Sequence, residues 1–192
     1  MFLIVGLGNP GKTYINNRHN IGYKIIDEIK EIYNFPNFNK KFHSEFSKAE
    51  VDKNIILLLK PTTYMNNSGI AVKEFKEFYN LNNNKIYVIH DEIDLDQGHV
   101  KIKVGGGHNG HNGIKSLDQF IGKDYNRVRV GVSRPSRIYE NNVDENISSW
   151  VLSNFSSDER IKWVNDTINK VAENIYSLIK DKDIFLKKFR NN

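Results

Sequence analysis

Three short, almost unbroken apolar runs, FLIV at 2–5, NIILLLK at 54–60 and KIYVIH at 85–90, constrain this chain most. Runs of that length closed by glycine, proline or acidic residues read as buried strands, and a run apolar on both faces belongs in the middle of a covered sheet. Between them the pattern changes to helical spacing. Ile21, Ile25, Ile29 and Ile32 recur as far as Tyr33, ahead of Pro36, and a second helix is expected from about Gly69 to Tyr79, with Asn67 or Ser68 as its N-cap. Residues 43–51 and 54–60 read as two strands joined by a turn at Asp52 and Lys53, and DEIDLDQG leads the third run into the alternating strand HVKIKV. A helix at 113–121, a strand RVRVGV at 127–132 with arginines on one face, a polar stretch over 133–146 and a long helix from about Ser157 to Ile179 follow. Alternating strands and helices with two hairpin-like pairs predict an α/β fold: one globular domain over 1–192, with a mixed β-sheet flanked by helices.

Composition removes whole classes of chemistry. The chain has no cysteine, which excludes disulfides, thiolate metal sites and a cysteine nucleophile. No apolar run approaches the roughly 18 to 20 residues that span a bilayer, and the stretch before Gly6 is too short for a signal peptide, so a soluble cytoplasmic protein is expected. Net charge is +5, yet residues 101–137 alone hold Lys101, Lys103, Lys115, Lys123, Arg127, Arg129, Arg134 and Arg137 against Asp118 and Asp124. A local excess of that size suits phosphate backbones; the plainer reading is a solvated face on a lysine-rich chain.

In α/β folds, functional loops gather at the carboxyl ends of the strands, here the loops after Val5, Lys60, His90 and Val104. The first, GLGNPG, matches the dinucleotide-binding pattern G-x-G-x-x-G but fits its mechanics poorly. About nine polar residues separate the third glycine from helical periodicity, Pro10 removes an amide, and Asp27, Glu28 and Glu31 fall within a helix rather than at a second strand end. His19, in the same loop, reads on its own as a surface residue. Asp91, immediately past the strand ending at His90, changes that, because a carboxylate bonded to one ring nitrogen raises the basicity of the other. The DEIDLD cluster also reads as an acidic turn or a cation site, although no complete ligand set is evident. Asn9, Asn66 and Asn112 each occupy a glycine- or turn-rich loop, where carboxamides hold peptide groups or cap turns. His108 and His111 in GGGHNGHNG invite a metal reading, but no regular element puts both on one face; a mobile glycine loop closing over a ligand fits better. With no G-x-S-x-G elbow, a hydrolase here would use water directly.

Together IVGLGNPG, RHNIG, KPTTYMNNSG, HDEIDL and KVGGGHNGHNGIKS resemble, in order and spacing, the bacterial-type peptidyl-tRNA hydrolases, over essentially the whole chain. The resemblance implies cleavage of the ester between a peptide and the 3′ ribose of tRNA, recycling prematurely released peptidyl-tRNA. It also implies no metal or organic cofactor, no membrane partner and a monomer. By the same resemblance His19 is the base that activates water, Asp91 the carboxylate behind it, and Asn9 the residue that helps tell blocked from free aminoacyl-tRNA. Tyr14 and Tyr64 fall where the family contacts the tRNA end, Met65 on the pocket wall, Asn66 and Asn112 at the peptidyl group and water, and His111 with the substrate-binding residues. Lys101, Lys103, Arg127 and Arg129 correspond to the region turned toward tRNA phosphates. Asn109 and Ser133 depart from a common glycine, and 137–147 matches weakly, leaving the lid in that region undefined.

Two other classes stay open on sequence alone. GLGNPG supports a nucleotide-dependent oxidoreductase, which NAD would reveal by quenching Trp150 or Trp163; the basic segment supports a non-catalytic RNA-binding module, which would bind tRNA without consuming an ester.

Overall fold

The computed structural model describes residues 1–135 and 143–189. Its mixed sheet contains β1 (Phe2–Gly6), β2 (Asn39–Lys41), β3 (Ser44–Val51), β4 (Asn54–Pro61), β5 (Ile86–Glu92), β6 (Val100–Val104) and β7 (Asn126–Gly131). The strand order is β2-β3-β4-β1-β5-β7-β6. The three apolar runs are the adjacent central strands: β1 lies between β4 and β5 and runs parallel to both. Period-2 alternation sends Leu3, Val5, Leu57, Leu59, Ile86 and Val88 into one core and Phe2, Ile4, Ile56, Leu58, Tyr87 and Ile89 into the other. Helices α2 (Ser68–Phe78) and α3 (Asn112–Ile121) cover the first; α1 (Ile21–Ile32) and the C-terminal helices cover the second. Among the described residues no helix is long and apolar enough to cross a membrane.

The β3–β4 pair is a hairpin, with Asp52 and Lys53 both at positive φ in its turn. The expected second hairpin does not form. Strand β7 inserts between β5 and β6, parallel to β5 and antiparallel to β6. The apolar β5 thereby gains a partner on each side, while β6, with Lys101 and Lys103 exposed, becomes the sheet edge, where lysines discourage further pairing. The same pairing carries β5 past His90: Asp91 faces Val130 and Glu92 faces Gly131, so Asp91 is a buried strand residue rather than the first residue of a loop.

The long C-terminal helix is broken. After a capping box between Ser156 and Glu159 come α5 (Ser157–Glu159), a π-helical segment Arg160–Val164, α6 (Asn165–Glu173), α7 (Ile175–Lys180) and α8 (Lys182–Lys187). Asn174 ends α6, and the Asp181 side chain caps α8 through the amides of Asp183 and Ile184. Part of the polar stretch is also helical, as α4 (Val143–Val151). Arg137 and the rest of 136–142 lie outside the described residues.

Helix α1 sits directly on the sheet because two glycines allow it. A Cβ on Gly6 would stand 2.3 Å from the Gly22 carbonyl oxygen, and one on Gly22 would stand 2.4 Å from Ile89 O and 2.5 Å from Leu7 N. Both of the latter are backbone atoms, joined to each other by a 2.9 Å hydrogen bond, so neither yields cheaply. The short helical turn Arg18–Asn20 runs straight into α1, and the height of α1 above the sheet therefore sets the position of His19. Gly22→Ala should lower stability by about 1–3 kcal/mol or more, the usual cost of overpacking, read as a lower urea midpoint at unchanged m-value.

Candidate active site

All four loops singled out from the sequence line one cavity of about 800 Å³ above the carboxyl ends of the parallel strands. Asn9 enters from the loop after β1, Tyr64, Met65 and Asn66 from that after β4, Asp91 from the end of β5, and Asn109, His111 and Asn112 from the glycine-rich loop and the start of α3. Ile147, Ser148, Val151 and Leu152, from α4 and the residue after it, form a further wall, and Ile93 and Arg134 also line the cavity.

At its floor Asp91 is 2% exposed and accepts two imidazoles on one oxygen: His19 Nδ1 lies 2.8 Å from Oδ1 and His111 Nε2 3.1 Å from it. Burial pushes the Asp91 carboxyl up, but the charge and hydrogen bonds of His19 and His111 outweigh it and hold the group well below the usual carboxylate range. His111 is the N-cap of α3, and its Nδ1 accepts from the amides of Gly113 and Ile114 at 3.1 and 3.3 Å. Its proton therefore sits on Nε2, facing Asp91. His19 gives its Nδ1 proton to the same oxygen, which leaves Nε2 as a lone pair on a residue lining the cavity. His19, Asp91 and His111 place ligand-type atoms within 4.8 Å of one another. The tautomer fixed by the α3 amides nonetheless leaves His111 Nε2 without the lone pair that a metal ion needs.

Asn9 is held on three sides. Its amide donates to Asn20 Oδ1 and its carbonyl accepts from Asn20 Nδ2, both at 2.9 Å, while its own Oδ1 accepts the Met65 amide at 2.8 Å. The side-chain amino group of Asn9 is what remains to offer the cavity. Tyr64, next to Met65, takes φ 60 and ψ 162, a region almost confined to glycine, and its half-exposed ring meets Tyr14 edge-on at 6.4 Å. Asn66 and Asn112 are exposed at the cavity mouth.

The basic segment divides. Lys101 and Lys103 on β6 are exposed, as are Lys115 and Lys123. Arg127 is 2% exposed, paired with Asp118 at 2.7 Å and donating to Gly107 O at 2.9 Å; Arg129 donates through Nε to Glu92 at 2.9 Å. The alternation of β7 sends both arginines to one face as expected, but that face is filled by acidic partners. His108 is exposed, accepts the Gly110 amide, and stands apart from the His19–Asp91–His111 cluster.

No motif or spacing pointed to His90, although it adjoins Asp91. Its Nδ1 donates to the Asp91 carbonyl at 2.7 Å and its ring lies 4.8 Å from that of His111, edge to face. Burial, and then the neighbouring His111 charge, drive its pKa well below 6.5, so the ring stays neutral in the fold. In the unfolded chain it takes a proton near 6.5. The stability tied to His90 is thus fully present above that pH and lost below it, because the unfolded state then binds the extra proton. Measured by urea unfolding, wild type should weaken between about pH 7.5 and 5.5, with a slope of at most about 1.4 kcal/mol per pH unit from this group. His90→Asn, which keeps a donor for Asp91 O, should flatten that slope.

Known proteins resemble this chain over its whole length. The family model described as Peptidyl-tRNA hydrolase matches residues 3–192. The peptidyl-tRNA hydrolase of Rickettsia canadensis is 44% identical over 192 residues, covering all of this chain and 98% of that protein. That of Bartonella henselae is 46% identical over 180 residues, covering 94% and 90%. The crystal structure of peptidyl-tRNA hydrolase from Acinetobacter baumannii superposes with a TM-score of 0.89 at 32% identity, covering all of this chain and 95% of the other. A buried carboxylate holding a histidine at the floor of this cavity thus sits in a chain that, over its whole length, belongs to the peptidyl-tRNA hydrolase family.

Proposed function

We propose that this chain hydrolyses the ester joining a peptide, or an N-blocked aminoacyl group, to the 3′ ribose of tRNA, and so recycles peptidyl-tRNA released prematurely from ribosomes. The observation that carries the reading is the His19 imidazole, fixed through Nδ1 by the buried Asp91 carboxylate with its Nε2 lone pair left over. That nitrogen takes a proton from water as the water attacks the ester carbonyl, and Asp91 stabilises the imidazolium that forms. The exposed carboxamides of Asn66 and Asn112 are placed to hold the peptidyl group and to donate to the developing oxyanion. The proton then passes to the departing 3′ oxygen. An ester needs no stronger activation, so water attacks without a covalent acyl-enzyme.

Asn9 supplies the discrimination. With its Oδ1 spent on the Met65 amide, it offers a donor, which suits the carbonyl of an N-acyl group and has nothing to accept from a free ammonium. The exposed lysines of the basic segment supply phosphate contacts, and Tyr14 with Tyr64 supply a stacking surface for the tRNA end. Arg127 and Arg129 act behind this surface, holding Asp118 and Glu92. The reading is of a metal-independent enzyme, supported by the His111 tautomer, and of a cytoplasmic monomer, as the resemblance implies.

The test is release of deacylated tRNA from N-acetyl-aminoacyl-tRNA in EDTA, beside the unblocked ester. Cleavage of the blocked ester alone is expected, and His19→Ala should lose about 10² to 10⁴ in rate, the usual worth of a general base, with tRNA binding largely kept. Asp91→Asn should slow the reaction and move the acidic limb of its pH profile, since the imidazolium loses its counter-charge. Lys103→Ala should weaken tRNA binding and reduce the slope of log K against log salt by about 1. Tight tRNA binding without ester cleavage by wild type would leave a binding module instead.

A further inference from the structure

Arg18, the residue before His19, is buried at 4% exposure, and among the described residues every group its guanidinium engages lies in the segment 150–159. Its Nη2 donates to both oxygens of Glu159 at 2.7 and 2.8 Å. Its Nη1 donates to Ser153 Oγ at 2.7 Å and to the Asn154 carbonyl at 2.9 Å. The guanidinium plane stacks on the Trp150 ring, with Cζ 3.6 Å from the centroid. Backbone bonds run alongside, from Arg18 N to Ser153 O and from Phe155 N to Asn16 O, and the Asn17 carboxamide donates to Leu152 O. The Glu159 carboxyl is held below its usual range: burial works against this, but the Ser156 amide and Arg18 prevail.

The segment seized in this way is the end of α4 and the turn after it, which form one wall of the cavity. Val151 and Leu152 line the cavity immediately beside the residues that Arg18 grips. On its other side Arg18 is one peptide bond from His19. We infer that Arg18 is a positioning residue whose guanidinium, clamped by Glu159 and stacked on Trp150, latches the α4 wall to the histidine-bearing turn so that wall and base keep one registry.

The latch deepens the hydrolase reading and rests on it for its effect on substrate: an acyl chain seated against α4 is thereby placed relative to His19. Arginine suits this duty because one rigid planar fork takes a bidentate carboxylate, a carbonyl and an aromatic face together, which a lysine ammonium cannot do. A partly buried pair of this kind contributes little net stability compared with an apolar replacement, so its value lies in fixing a geometry.

Two measurements on Glu159→Gln and Arg18→Lys test it. Hydrogen exchange without substrate should quicken by about tenfold or more for amides of 146–155 while the central strands exchange as in wild type, a local rather than global opening. With N-acetyl-aminoacyl-tRNA, Glu159→Gln should raise KM about fivefold or more with kcat within about twofold and an unmoved pH profile, the signature of lost seating rather than lost chemistry. The double variant should be no worse than the worse single one. Unchanged exchange at 146–155, acceleration spread evenly through the sheet, or a fall in kcat at constant KM each overturns the latch. Failure of wild type to cleave the ester overturns the hydrolase reading instead, and the exchange arm still decides whether the latch exists.

Discussion

A single buried carboxylate oxygen, Asp91 Oδ1, carries two imidazoles, and the rest of the site depends on it. A carboxylate out of water is costly unless its lone pairs are met, so the two histidines both stabilise the fold and are fixed by it. They are not equivalent. His111 stands at the N-terminus of α3 with its second nitrogen committed to two amides, whereas the second nitrogen of His19 has no such commitment among the described residues. The helix terminus thereby decides which ring keeps a lone pair for water. Neutral His90, packed edge-on against His111, fills the space behind without adding a charge.

Placing that oxygen requires a central strand, since only there is the carboxylate shielded on both faces while its end reaches a loop cluster. β5 meets the requirement with β1 on one side and β7 on the other. The insertion of β7 has a second consequence. It carries Arg127 and Arg129 under the glycine-rich loop, where each neutralises an acid, and leaves β6 at the edge with its lysines in water. The positive charge of β6 and β7 is thus two populations, arginines that hold the scaffold and exposed lysines on the edge strand. Counting charges along the chain merges them, because it cannot see which acids lie opposite.

Central strands, the α1–α3 periodicities and the loops to search were legible in the residues, because each rests on local spacing. So was the His19–Asp91 partnership, although Asp91 was expected one step beyond the strand. What local spacing could not show was pairing across long separations. The order β5-β7-β6 depends on a strand 34 residues beyond β5, as set by the ends of β5 and β7 at Glu92 and Asn126. The spacing of His108 and His111 argued against a metal pair but gave no partner for His111; its neighbours, Asp91 and His19, are 20 and 92 residues away. Asn109 and Ser133, the two departures from glycine, both adopt positive φ, at 47° and 56°. Glycine is at home in that conformation, and asparagine tolerates it better than serine does.

Helix α4 was the element least visible in the sequence, and the reason bears on how the cavity is built. VDENISSWV combines β-branched residues, serines and an asparagine, a composition with little helical preference of its own, and nine residues are too few to hold a helix in isolation. Its order comes from contacts made near its end: Trp150 Nε1 on the Ser133 carbonyl, and Trp150 under the Arg18 guanidinium. A strongly self-stable helix would form whether or not it was docked. A marginal one is helical largely because it is docked, so this wall of the cavity takes its shape from the same turn that carries the base.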